Sequence, residues 1–354
     1  MNEERALRTR SRSSLFALAA LLCLAAPASS RAEDVEGRWM LDFDTYERGR
    51  FQLTMKRTTG HGNWSNSSSY SLDEFRGLSI PAGRTPAPAH FEMVRDAGTV
   101  RFEGQLDETG GSGRFTLSPN PEFESFWRSR GYDSLTLDDY YSFTMHDVSR
   151  KFLDDLRSLG YDRVSKDNLV SMRIHRATPE FIRDLQSLGY EHVPVDSLIS
   201  MRIHGATAEF IRDLKSLGYD HIPVDGLVSM RIHGATPEYI RQMKDLGYDR
   251  LTSDSLVSMR IHGVSPEYVR ELKALGYERV PADSLVSMRI HGVSTEYIRQ
   301  LQELGYRHVP VDSLVSMRIH NVSIEYVKKT RERHGDVSVD ELVSRRIRGS
   351  RYDD

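Results

Sequence analysis

Between Glu33 and Ser118 the apolar residues fall on alternate positions. Trp39, Leu41 and Phe43 would share one face of an extended chain, as would Phe51, Leu53 and Met55, then Phe91 and Met93, Val100 and Phe102, and Phe115 and Leu117. A period of two marks half-buried strands. The pattern predicts a small antiparallel β domain, a sandwich or partial barrel, over residues 33–118. Within it TVRFEGQLDETGGSGRFTL reads as a hairpin turning in DETGGSG, because glycine supplies the positive φ of tight turns. GHGNWSNSSSY and IPAGRTPAPAH, rich in Gly, Ser and Pro, read as connecting loops.

From Asn120 the period changes. A unit of 29 residues recurs, with copies beginning at Asn120, Ser149, Thr178, Thr207, Thr236, Ser265, Ser294 and Ser323, the last one residue shorter. Repetition at this period signals stacked supersecondary units. Each copy carries the punctuation of two helices. In TPEYIRQMKDLGYDRLTSDSLVSMRIHGV, Thr236 caps a first helix, Pro237 and Glu238 suit its first turn, and Gly247 ends it in a left-handed conformation. Tyr239, Ile240, Met243 and Leu246 give it one apolar stripe. A second helix begins after Thr252, is apolar through Leu256, Val257, Met259 and Ile261, and ends at Gly263. Helices of about three turns do not persist alone in water. The expectation is an α-solenoid of eight two-helix repeats over residues 120–350, followed by a tail at 351–354, and an α+β multidomain chain overall. The aromatic Trp127, Tyr140, Tyr141 and Phe143 suit the first copy to docking on the β domain, and Lys328, Lys329, Arg345 and Arg346 make the last copy a solvated end.

Composition narrows the setting. Four arginines precede the apolar run LFALAALLCLAA, and small residues follow it, the layout of a secretory signal over residues 1–32. The run is short of the roughly 20 residues of a membrane span, so no stable span is expected after signal removal, and a periplasmic or secreted location follows. Retention of the segment as an anchor is the other possibility. Cys23, the one cysteine, lies in this run, so the exported part has no thiol for a disulfide, a nucleophile or a zinc ligand. The formal charge is −3 for the chain; without residues 1–32 it has 43 basic and 49 acidic residues, net −6. Nucleic-acid binding would call for a basic stripe, and none is visible.

Within the repeat, three columns of chemistry stand out. His175, His204, His233, His262, His291 and His320 close the recurring SMRIH. Neighbours in stacked copies would lie about 8–10 Å apart, too far to share a metal ion held at about 2.1 Å. No metal or cofactor is expected, and the column reads as a helix end copied with its unit, its imidazoles bonding to orphan carbonyls, or as a pH-sensitive contact. Arg173, Arg202, Arg231, Arg260, Arg289 and Arg318 form the second column, and Asp167, Asp196, Asp225, Asp254, Asp283 and Asp312 the third. The two could pair as an ion ladder, or the arginines could bind carboxylates of a partner protein or peptide through their guanidinium forks. Ser258 and its equivalents read as small packing residues, and Tyr248 and its equivalents as inter-repeat packing with a surface hydroxyl. No HExxH, P-loop, GxGxxG or GxSxG motif occurs.

The signatures T-P-E-F/Y-I-R, L-G-Y and D-x-L-V-S-M-R-I-H-G resemble the tandem helical repeats of uncharacterised bacterial envelope proteins. They are also similar to the region that follows the membrane metallopeptidase domain in relatives of the penicillin-sensing antirepressor receptors. FEMVRDAGTVRFEGQL and GSGRFTLSPNPEF resemble the stretch directly before those repeats. The resemblance implies an extracytoplasmic interaction module. It does not carry proteolysis, because the peptidase part and its HExxH have no counterpart here. The expected function is therefore an exported, non-catalytic scaffold that binds a protein or peptide of the cell envelope along the solenoid. The alternative is an envelope ligand sensor with a small-molecule or glycan site in the β domain, near Trp64.

Overall fold

The computed structural model describes residues 35–47, 49–59 and 62–349. The expected signal segment, Cys23 and the expected tail lie outside the described residues, as does the Trp64 side chain.

Six strands form one antiparallel sheet: β1 (Val35–Glu47), β2 (Arg50–Thr59), β3 (Gly62–Ser71), β4 (Ala87–Val94), β5 (Gly98–Leu106) and β6 (Gly110–Pro119), in the order β3-β2-β1-β6-β5-β4. Every residue placed on an inward face by alternation is buried, from Trp39 to Leu117. The sheet is open, with β3 and β4 as its edges. It curls strongly. The Phe75 ring lies 5.7 Å from Phe51 on β2 and 5.8 Å from Phe91 on β4, although three strands separate those two in the sheet. A two-layer sandwich would need a second sheet, and among the described residues there is one.

One local expectation is corrected, and a second, the hairpin turning in DETGGSG, is met by residues other than its glycines. GHGNWSNSSSY is not a loop: it supplies most of β3, paired residue for residue with β2 from Arg50↔Ser71 to Thr59↔Gly62. Its Ser and Asn side chains bury little, so backbone pairing at an edge forms this strand without an apolar alternation to announce it. The hairpin turn is Asp107–Thr109, and the glycines that follow belong to β6. The Asp107 carboxylate makes the turn, accepting from Thr109 N (2.8 Å), Thr109 Oγ1 (2.7 Å) and Gly110 N (3.2 Å). These bonds, the Thr109 hydroxyl first, hold its pKa below the usual carboxylate value. Glycine is needed one step later for close approach. A Cβ on Gly113 would sit 2.0 Å from the Glu103 carbonyl, and one on Gly104 would sit 2.7 Å from the Trp39 ring.

Sixteen helices follow among the described residues, two per copy. The first pair, α1 (Pro121–Ser129) and α2 (Leu137–Met145), closes the curled sheet. α2 packs on β1, β5 and β6; its Tyr141 ring lies 6.0 Å from Phe115, and its hydroxyl donates to Met55 Sδ at 3.6 Å. Trp127 stacks on Tyr132 with centroids 3.8 Å apart and meets Phe143 edge-on. The expected aromatic docking of the first copy is what the structure shows, and one continuous apolar core runs from Val35 to Leu342.

Each later copy follows its punctuation. The hydroxyls of Thr178, Thr207, Thr236, Ser265 and Ser294 accept from the amide three residues on, at 3.1–3.3 Å. Gly247 and Gly263 have φ of +87° and +71°. Where the second glycine is missing, Asp147, Arg176 and Asn321 adopt the same left-handed conformation, at φ of 53–57°.

Polar side chains join neighbouring copies in both directions. Tyr161, Tyr190, Tyr219, Tyr248 and Tyr277 each donate their hydroxyl to a carbonyl 32 residues ahead, in the next copy, at 2.7–2.9 Å. These hydroxyls are therefore tethers between copies, not free surface groups. Lys215, Lys244 and Lys273 reach 27 residues back and donate Nζ to the C-terminal carbonyl of the preceding first helix, at 2.7–2.8 Å; Gln302 substitutes at 2.9 Å. Helix ends that a 9-residue segment leaves unsatisfied are thus capped by the next copy.

Candidate binding surface along the second helices

The second helices carry all three columns, at different places on their surface. Each begins with the aspartate in its first turn, where a carboxylate complements the helix dipole, and ends with arginine and histidine in its last. Asp254 and Arg260 are six residues apart, which turns them to different sides of the helix. Accordingly, among the described residues no column aspartate pairs with a column arginine, and the expected ion ladder is absent. Arg173 alone of the six has a carboxylate within ion-pair distance, Asp147 at 2.7 Å.

The arginines are held inside the array. Nε of Arg173, Arg202, Arg231 and Arg260 donates to the main-chain carbonyl of His146, His175, His204 and His233, one copy back, at 2.9, 3.3, 3.3 and 3.4 Å. The guanidinium of each of the six lies over an aromatic ring of its own copy, from Phe152 for Arg173 to Tyr297 for Arg318, 5.0–5.3 Å from the centroid. For Arg231, Arg260, Arg289 and Arg318 a terminal nitrogen lies beside the glycine that ends the preceding second helix, 3.0–3.4 Å from where a Cβ would sit, as Arg260 does at Gly234. Those rings are themselves anchored. The hydroxyls of Tyr239, Tyr268 and Tyr297 donate to Val264, Val293 and Val322 carbonyls at 2.7–2.9 Å, and burial pushes their pKa up to about 12. A cation at a helix C-terminus, stacked on a ring, is a stabilising arrangement.

The histidines differ from expectation in one respect. The carbonyls at the helix ends are taken by the arginines of the next copy, and among the described residues no column imidazole bonds to them. The rings of His204, His233, His262 and His291 are exposed. Among the described residues no group of three or more metal-ligating side chains is gathered.

The first-copy equivalent, His146, is set apart. It is half-buried at the end of α2 beside Asp147 and Arg173, in the hollow that Glu74, Arg95 and Tyr70 share between sheet and repeats. Burial, and then the Arg173 charge, lower its pKa. The folded protein thus binds this proton less readily than the unfolded chain. Its contribution to stability is complete above the unfolded pKa of about 6.5 and is lost as pH falls through the lower folded value. His146→Gln is expected to flatten the fall in urea-unfolding midpoint as pH drops below about 6.5. An unchanged slope would show that other groups carry it.

The sequence reading missed the isoleucines of SMRIH. Ile174, Ile203, Ile232, Ile261, Ile290 and Ile319 are 51–54 % exposed, although they were expected on the buried face. With Ile347 they account for seven of the nine exposed large apolar side chains among the described residues. The core of each second helix is made by pairs such as Leu256 and Met259, both at 0 % exposure. Ile261 is two residues beyond Met259, about 200° further round, and so points away from that core. The signal was present in the spacing.

The outer face of the sheet holds a separate feature. Arg38, Lys56 and Arg114 surround a hollow of about 440 Å³ with Met40, Thr54 and Ser112 at its floor and wall.

Among the described residues, no helix is long and apolar enough to cross a membrane. No family model, curated protein or solved structure matches the chain.

Proposed function

We propose that this chain is an exported, non-catalytic scaffold that binds a protein or peptide in the cell envelope. In this reading the repeats form an α-solenoid joined to a half-barrel-like β domain, and binding takes place along the side of the array, as repeat proteins commonly bind through extended surfaces. The observation that carries it is the isoleucine column. Six copies leave the same large apolar side chain half exposed while burying the leucine and methionine of the same helices. A β-branched residue at an exposed helix position offers less helix propensity than alanine, leucine or lysine. Nothing inside the chain gains from it, and a partner surface would. The layout of residues 1–32 supports export, and the resemblance of the repeats to those of envelope proteins supports the location.

The arginine column remains a candidate for contact through those guanidinium nitrogens not used inside the array, with the isoleucines as its apolar neighbours. The test is site-specific photo-cross-linking in the native envelope. A benzophenone side chain at Ile232 is expected to give discrete adducts, and the same group at Gln242 on the first-helix face is expected to give none. Equal labelling from both sites would remove the scaffold reading.

A second reading, a sensor for a small envelope molecule or glycan, is supported by the hollow framed by Arg38, Lys56 and Arg114, which suits an anionic ligand. Thermal shifts of the full chain with acidic muropeptides would favour it, and their abolition in Lys56→Ala with Arg114→Ala would assign the site.

A further inference from the structure

The isoleucines do not stand alone on their face. On each second helix the column aspartate lies seven residues before the isoleucine, as Asp254 does before Ile261. Seven residues are close to two full turns, so both side chains project from the same side, about 10.5 Å apart along the axis. Asp225, Asp254 and Asp283 are exposed, and among the described residues no cation of the protein lies within ion-pair distance of them. The array therefore presents two parallel rails that cross successive second helices, one apolar and one of carboxylates that, among the described residues, lack an ion-pair partner, although Asp196 accepts from Asn168 Nδ2 at 3.1 Å.

Copying alone does not account for these rails, because other exposed positions of the same unit have drifted. One reads Glu191, Asp220, Asp249, Glu278 and Arg307; the next reads His192, His221, Arg250, Arg279 and His308. The aspartate and the isoleucine are identical in all six copies. The arginine and histidine that flank the isoleucine are identical too, the arginine held by its clamp between copies.

Successive second helices also approach one another more closely than successive first helices do. Closely spaced second helices put the side chains of several copies within reach of one elongated ligand.

Spacing then selects the ligand. Packed helices lie about 8–10 Å apart, so the rails repeat at about that interval. A polyproline II chain advances about 3.1 Å per residue with three residues per turn, about 9.3 Å per turn, in step with the copies. An extended β chain returns to the same face every two residues, about 6.6 Å, and falls out of step. We infer that the isoleucine and aspartate rails bind a proline-rich, basic segment in polyproline II conformation. One turn lies on each copy, with an apolar side chain against isoleucine and a lysine or arginine against aspartate. Such a segment is already ordered before it binds, which reduces the entropy lost on docking.

This inference rests on the scaffold reading and is tested separately from it. The probe is a fluorescent Pro-Pro-Lys repeat peptide long enough to span six copies, titrated into the full chain at low and high salt. Saturable binding, weakened by salt, is expected. Asp225→Asn with Asp254→Asn and Asp283→Asn should weaken it at least about tenfold. Ile232→Ser with Ile261→Ser and Ile290→Ser should do the same, with melting temperatures near that of the parent because these side chains are half exposed. A loss confined to the aspartate variant would mean charge attraction without an apolar rail and would overturn the inference. Tighter binding of a lysine-rich amphipathic helix of equal charge would overturn the polyproline II occupant, as would no binding of the Pro-Pro-Lys peptide. If that peptide fails while the benzophenone at Ile232 still yields discrete adducts, the scaffold stands and this ligand falls.

Discussion

The double charge reversal Arg231→Glu with Arg260→Glu is expected to destabilise the middle of the array by about 5–7 kcal/mol. Each arginine donates to the carbonyl end of the preceding second helix, His204 for Arg231 and His233 for Arg260, and lies over a ring of its own copy, Phe210 or Tyr239. A charged hydrogen bond contributes about 1.5–3 kcal/mol; at 3.3 and 3.4 Å these belong at the lower end. The ring contact adds about 0.5–1 kcal/mol. A carboxylate in the same place meets the negative end of a helix, a further cost of about 0.3–1 kcal/mol. Against the 5–15 kcal/mol that typically separates a folded domain from its unfolded chain, two such sites should lower the urea midpoint of the helical signal markedly. The neutral pair Arg231→Gln with Arg260→Gln should lose less. If the reversed protein keeps its midpoint and loses only capture of a partner, the arginines are ligand contacts and the clamp contributes little.

That experiment separates two readings which the sequence leaves level, and the reason is instructive. A column of arginines at fixed spacing looks the same whether it faces a partner or the neighbouring copy. The deciding contacts run 27 residues back, from Nε to a main-chain carbonyl, and no side-chain pattern encodes a carbonyl as the acceptor. The same holds for Lys244 on the Leu217 carbonyl and Tyr248 on that of Val280.

What depends on local chemistry was readable. The Thr236 cap, the left-handed Gly247, the burial of Trp39, Leu41 and Phe43, and the docking of Tyr141 all follow from residues within one element or one copy. β3 was not readable, because Ser65–Ser69 pair through the backbone and offer no apolar alternation. The exposure of Ile261 was readable and overlooked: counted from Leu256 and Met259 it falls off the apolar stripe, and only the habit of placing isoleucine in the core concealed it.

The sheet supplies the other large effect. Trp39 is 2 % exposed at the centre of the curl, with its ring 5.3 Å from Phe91 and 6.3 Å from Phe102, both edge-on, and its Nε1 donating to the Arg114 carbonyl at 3.0 Å and the Glu103 carbonyl at 3.3 Å. The glycines at 104 and 113 leave the space that the ring fills. Trp39→Ala removes the ring and leaves a cavity that rigid strands cannot collapse into, so the expected loss is about 3–5 kcal/mol. Trp39→Phe keeps most of the apolar contact and gives up the indole donor, with a loss of about 1–3 kcal/mol. The location of the loss matters as much as its size. The second copy meets the β domain where Arg150 N donates to Asp96, and the copies beyond it stack on one another, so the near-ultraviolet signal of the aromatic core should melt earlier than the helical signal in Trp39→Ala, where the parent melts both closer together. A single transition at a lower temperature for both signals would instead mean that α2, seated on β1, β5 and β6, transmits the whole loss into the repeats.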